Sequence, residues 1–344
     1  MKKSVLLSVL AGLALAVGGV AVGQNAERPG EGVQVQPAVA TWESALPIEA
    51  IFRALLQDLG YEVASPQGVS NPIFYQAVTQ GDVDYWANGW FPIHNGQLPA
   101  NFDESASRVG KIVEAGALGG YLVDKASVEE FGITSLEDFK RPEVKEAFDA
   151  NGDGLADLGA CPPGWGCEQV ISHHMDVYEL HDHVNPITAS YSASFADIVA
   201  RYNAGEPVLY YTWTPNYTTV ELVPGEDVMW INVPEIITSE AQEGLEEFMS
   251  VSGVTGAVSD PLDMGFVASD IRAVANNQFL EENPAAERLF EQITIPLEDI
   301  TNMTVRIAQG ENSDDEILAM AQEWISENSN TVDGWLEEAR SAAD

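Results

Sequence analysis

The sequence predicts an α/β protein of roughly two lobes, and three observations carry that reading. At 344 residues, 45% of them hydrophobic, the chain can bury a sizeable core and exceeds one ordinary domain length. Short strand-like runs alternate with helix-period segments, the pattern of a parallel sheet covered by helices. Beyond residue 23 no second long apolar run occurs.

The chain opens on Lys2 and Lys3, then an apolar run from Val5 to Val22, with Ala21-Val22-Gly23 placed like a small-residue cleavage site. That is the layout of a secretory signal peptide over residues 1–23, with an uncleaved anchor as the alternative. No cysteine follows the run, which disfavours a lipid anchor. Residues 33–36 alternate like a strand. A helix is expected over 43–59, where Ile48, Ile51, Phe52, Leu55, Leu56 and Leu59 recur at helical spacing and Gly60 ends it. A short strand over 61–63, a helix over 73–80 stopped by Gly81, and a strand over 82–87 follow.

Residues 119–125 read as a strand crossing between lobes, and 131–148 as a charged, helix-rich surface. Helices are expected over 168–180 and 194–203, and a strand over 207–212. Residues 224–264 mix short strands with loops, and 265–273 form an apolar return crossing. Three helices close the chain (284–293, 314–327 and 332–342), with Trp324 and Trp335 as packing residues.

One pattern occurs twice: helix, glycine, strand, then Trp-x-Pro, at Trp90-Phe91-Pro92 and at Trp213-Thr214-Pro215. Ligands of open α/β sheets bind outside the carboxyl ends of strands, so each lobe would set one indole at its cleft edge. Trp90, Trp165 and Trp213 all fall on expected loops, where function concentrates. Tryptophan is also the best ring for a quaternary ammonium, which offers no N–H donor and is read through cation–π and dispersion contacts. Trp42 is a reserve candidate, while Tyr85, Trp86, Tyr210 and Tyr211 read as supporting or core residues. His94, four residues past Trp90, could donate to a ligand oxygen.

The stretch DANGDGLADLGACPPGWGCEQVISHH (149–174) holds the two cysteines, Cys161 and Cys167. In an exported chain such a pair reads as a disulfide rather than a metal pair or a nucleophile. It would pin a Gly-rich loop with Trp165 at its tip onto a helix N-terminus, where unpaired amides favour an anion. Two readings stand open: a carboxylate held at Trp165, Gly166 and Cys167, or a pinned surface turn. Asp149, Asn151, Asp153 and Asp157 match the start of an EF-hand-type loop, although Ala160 stands where the bidentate acid belongs. They make a candidate structural calcium site; the alternative is an Asx-rich turn.

Charge narrows the classes. The 54 acidic residues against 15 basic ones, a net of −39, repel nucleic acid and anionic membranes and fit a salt-exposed surface. His173, His174, His181 and His183 could suggest an exported metal-dependent hydrolase, but adjacent histidines on a helix face different ways and no His-x-x-x-His pair lies within it. No nucleophile elbow, P-loop or dinucleotide fingerprint occurs. A third reading is an acidic, calcium-stabilised structural protein.

In GDVDYWANGWFPIHN, in the central stretch, in ARYNAGEPVLYYTWTPNY and in ENPAAERLF, the chain resembles the periplasmic glycine betaine/proline betaine-binding proteins of osmoprotectant ABC importers. The resemblance runs over nearly the whole chain after the leader. It implies a type II periplasmic binding-protein fold with a mixed sheet in each lobe and the ligand cleft between them. Lobe 1 is expected over 32–120 plus 270–344 and lobe 2 over 121–269. It further implies a three-tryptophan box of Trp90, Trp165 and Trp213 around a trimethylammonium group. The carboxylate would be held by His94 and by the main-chain amides of Gly166 and Cys167, with Cys161 bridged to Cys167. The expected protein is a periplasmic, monomeric binding protein and not an enzyme. It needs no cofactor and partners an ABC permease and ATPase. Choline, carnitine or another methylated solute remain alternative ligands, since residues 236–258 match the family poorly.

Overall fold

The computed structural model describes residues 27–343, so the expected leader lies outside the described residues. One nine-stranded mixed sheet organises the chain. Its strands are β1 (Pro37–Val39), β2 (Gln67–Gly68), β3 (Tyr85–Phe91), β4 (Ala106–Asp124), β5 (Ala156–Gly159), β6 (Val184–Ile187), β7 (Leu209–Thr214), β8 (Val228–Ile231) and β9 (Ser269–Asn276). They lie in the order β2-β1-β3-β9-β4-β7-β5-β6, with β8 paired to β4.

The two wings are parallel, as the strand–helix alternation predicts: β1 pairs with β2 and β3, and β5 pairs with β6 and β7. Between the wings the chain crosses out and back, so the pairing turns antiparallel, β9 against β3 and β4, and β4 against β7. The crossing strand β4 is 19 residues long. Its residues 106–117 pair with β9 and its residues 118–123 with β7, so one strand serves both halves. Only its apolar second half was legible as a strand. The first half, ASRVGKIVEAG, carries charges and two residues at positive φ, Gly110 (60°) and Ala115 (48°). Gly110 is obligatory there, because a Cβ would stand 2.2 Å from the Phe290 carbonyl oxygen.

Eight helices of two turns or more flank the sheet among the described residues: α1 (Ala45–Asp58), α2 (Asn71–Gln80), α3 (Gly166–Val177), α4 (Tyr191–Asn203), α5 (Pro284–Gln292), α6 (Leu297–Ala308), α7 (Asp314–Glu327) and α8 (Ser329–Ala342). The stripe Ile48, Ile51, Phe52, Leu55 and Leu56 puts α1 into the core. Helix α6 escaped the sequence reading, although its buried Ile300, Met303, Thr304 and Ile307 recur at i, i+3, i+4 and i+7. A capping box of Ser313 and Glu316 starts α7. Buried Arg53 of α1 donates from both terminal nitrogens to Asp314 of α7, at 2.9 and 2.7 Å. Beside it, burial pushes the Glu49 carboxyl up to about 7.

Candidate functional site

The three candidate tryptophans come from different elements and meet. Trp90 and Trp213 sit inside β3 and β7, one residue before each strand ends, and Trp165 is the N-cap of α3. This corrects the expected loop placement of Trp90 and Trp213. Both strands run two or more residues further than their apolar cores suggested, because partner strands continue beside them, with Trp90 opposite Ile271 and Trp213 opposite Gly119. Both indoles still lie at carboxyl ends of strands, where the sheet opens.

Trp165 is central. Its ring stands 5.5 Å from Trp213 at 81° and 5.2 Å from Trp42 at 71°, both edge-to-face. Each indole N–H has an acceptor: Asn88 for Trp42 and Trp90, Thr41 for Trp165 at 2.9 Å, and Ser44 for Trp213 at 3.4 Å. The last two bonds join the β5–β7 side of the molecule to the turn between β1 and α1. The rings enclose about 30 Å³, lined by Trp90, His94, Trp165, Gly166, Cys167 and Trp213, together with Trp42, Ile93 and Tyr211. Tyr211 was read as a supporting or core residue, not as a site residue. Its spacing of two from Trp213 on one strand places both on one face, a signal that could have found it.

His94 forms the polar end. It lies in a 3-10 turn, Ile93–Gln97, just past β3, and is 3% exposed. The Trp90 backbone N–H, which can only donate, reaches Nδ1 at 3.2 Å, and the Tyr75 hydroxyl lies 2.7 Å from the same nitrogen. Nδ1 is therefore the acceptor and Nε2 carries the proton. Nε2 stands 3.0 Å from Asn71 Nδ2, itself a donor, so the Asn71 amide pairs with the ring only with its otherwise unpartnered oxygen turned to Nε2–H. Burial holds the ring's pKa down at about 3, so it is neutral. Opposite it, α3 begins. The amides of Gly166 and Cys167 are in its first turn, without intrahelical acceptors. A Cβ at Gly166 would come within 2.8 Å of His94 Cδ2, so only glycine lets imidazole and amides converge. Cys161 and Cys167 are bridged, with Cα atoms 6.1 Å apart, fixing the loop that carries Trp165.

One candidate site and one rival reading find no support in this geometry. The calcium loop turns its oxygens onto its own backbone. Asp149 accepts from the amides of Gly152, Asp153 and Gly154, and Asp157 from Ala150 and Asn151. Asn151 Nδ2 donates to Asp157 as well, and Arg201 approaches it at 4.0 Å. This is the Asx-rich turn, and a structural calcium is unsupported. The histidines are dispersed: His173 faces the Ile237 carbonyl, buried His174 the Tyr121 hydroxyl, and His181 the Asp176 carboxylate. Among the described residues no group of three or more His, Cys, Asp or Glu side chains is placed to hold a metal.

The geometry is thus an aromatic cage abutting an imidazole and two free amides. Comparison with known proteins agrees with the sequence resemblance. The family of the substrate-binding domain of ABC-type glycine betaine transport systems, OpuAC, matches residues 33–327. A glycine betaine-binding periplasmic protein of Dickeya dadantii, OusX, is 37% identical over 315 residues, 92% of each chain. The glycine betaine/proline betaine-binding periplasmic protein of Escherichia coli is 36% identical over 322 residues, 92% of this chain and 93% of its own. In fold, the chain is similar to the glycine betaine, L-proline transporter binding protein of Borrelia burgdorferi, with a TM-score of 0.69 at 15% identity, covering 90% of this chain and all of the other. The chain belongs to the family of substrate-binding domains of ABC-type glycine betaine transport systems.

Proposed function

We propose that this protein captures glycine betaine, and proline betaine with it, and delivers it to an ABC permease and ATPase. One observation supports this reading above others: Trp90, Trp165, Trp213, His94, Gly166 and Cys167 border one cavity, so indole rings and hydrogen-bond donors line the same space. The ligand's methylated nitrogen would sit among the indoles. Its carboxylate would accept from His94 Nε2–H and from the amides of Gly166 and Cys167. Separating the charges in this way rejects choline, which lacks the carboxylate, and proline, which lacks the methyl groups. The work is binding, not catalysis, and needs no cofactor.

The lobes would be residues 32–120 with 270–344 and residues 121–269, with the two crossings in β4 and at the first residue of β9. The leader over 1–23 would deliver the protein to the periplasm. Among the described residues no helix is long and apolar enough to cross a membrane.

Calorimetric titration with glycine betaine, proline betaine, choline and proline tests the reading. Binding of the first two alone is expected. Choline binding as tightly as betaine would show the carboxylate clamp to be wrong. Gly166→Ala tests the clamp directly. Pushing His94 away loses a charge-assisted hydrogen bond, so betaine affinity should fall roughly ten-fold or more. Unchanged affinity in that variant would remove His94 from the site.

A further inference from the structure

We infer that Trp42 is a fourth indole wall of the ligand site, positioned by Asn88, and that it sets the spacing between ammonium and carboxylate that the site accepts. The inference rests on the betaine reading above and names a specificity determinant within it.

Trp42 lines the same cavity as the other three indoles. It stands edge-on to Trp165 at 5.2 Å and edge-on to His94 at 6.1 Å. The ring therefore spans the boundary between the group that would meet the methylated nitrogen and the group that would meet the carboxylate. Asn88 accounts for its position: Oδ1 accepts from Trp42 Nε1 and from Trp90 Nε1, both at 2.8 Å. Asn88 is 1% exposed, and its own amide nitrogen has no hydrogen-bond partner. Burying an unsatisfied amide is costly, and what this one supplies is a shared acceptor for two indoles. Trp42 and Trp90 thus form one unit on the β1–β3 side, facing Trp165 and Trp213 from α3 and β7. A ligand held between them has Trp42 beside its spacer. Removing that ring would open room next to His94 for a longer chain.

The test is titration of glycine betaine and γ-butyrobetaine, whose spacer has three carbons instead of one, against wild type, Trp42→Ala, Trp42→Phe and Asn88→Ala. Trp42→Ala is expected to weaken glycine betaine roughly ten-fold and to bind γ-butyrobetaine more tightly than wild type. Trp42→Phe, which keeps a ring in the core, should move the ratio of the two affinities in the same direction by less. Asn88→Ala should move it likewise. In that variant the ¹⁵N indole resonances of Trp42 and Trp90 should shift while those of Trp165 and Trp213 stay put. If wild type binds glycine betaine and the ratio is unchanged in both Trp42 variants, Trp42 is packing only and the inference falls while the betaine reading stands. If wild type binds no betaine, that reading fails and this one with it.

Discussion

Alanine in place of Trp90, Trp165 or Trp213 is expected to weaken glycine betaine binding by tens-fold in each case. A desolvated cation–π contact contributes about 2 kcal/mol, and each tenfold in affinity corresponds to about 1.4 kcal/mol. Trp165 should show the largest loss. Its ring packs against both Trp42 and Trp213, and its N–H bond to Thr41 joins the two sides of the site. All three side chains are buried, so truncation also removes core packing, at roughly 3–5 kcal/mol for a large aromatic residue. Phenylalanine variants separate the two effects, since they keep most of the packing and present a weaker ring to the cation. Calorimetry on all six variants, with thermal melts alongside, reads both. Near wild-type affinity in the three alanine variants would sink the cage assignment.

Acid should unfold the protein steeply between about pH 4.5 and pH 3. Two buried imidazoles cause this. His94 and His174 both have pKa values lowered to about 3, chiefly by burial, against 6.5 for a free side chain. Below pH 6.5 the unfolded chain takes up two protons that the folded protein refuses, so stability falls as pH falls. Glu49 works against them while its raised pKa of about 7 keeps it protonated in the fold and ionised in the unfolded chain. That holds from pH 7 down to about 4.5, so the net slope between pH 6.5 and 4.5 is about one proton. Below pH 4.5 Glu49 no longer differs between the states and the slope doubles, to about 2.7 kcal/mol per pH unit. Added to the roughly 2.7 kcal/mol lost between pH 6.5 and 4.5, this reaches the lower end of the roughly 5–15 kcal/mol that holds domains folded. Urea unfolding at pH 7, 5, 4 and 3.5 checks it, and His174→Asn should flatten the acid limb by about half. A stability that stays level down to pH 3.5 would show that one or both imidazoles titrate normally.

The alternation of strands and helices, the helix stops at Gly60 and Gly81, and the apolar stripes of α1, α5 and α7 were legible along the chain. All of these arise within one element or one turn, so periodicity and capping chemistry report them. The roles proposed for the site residues came through resemblance to a family, because a tryptophan's spacing does not say what its face meets. Three things depended on tertiary contact. Where the parallel wings give way to antiparallel pairing depends on β4 and β9 crossing between halves, although their paired residues, from Ala117 with Ser269 to Ala106 with Asn276, lie far apart in sequence. Whether Asp149–Asp157 faces a cation or its own amides depends on how the loop closes, and the same oxygens serve either arrangement. The joining of the indoles depends on hydrogen bonds that span 124 residues from Trp165 to Thr41 and 169 from Trp213 to Ser44. Such contacts leave no periodic trace, since each is a single pair whose partners become neighbours only when the sheet has formed. Asn88 belongs to this last group: in sequence it is a polar residue inside an apolar strand, and only the folded sheet shows the two indoles it serves.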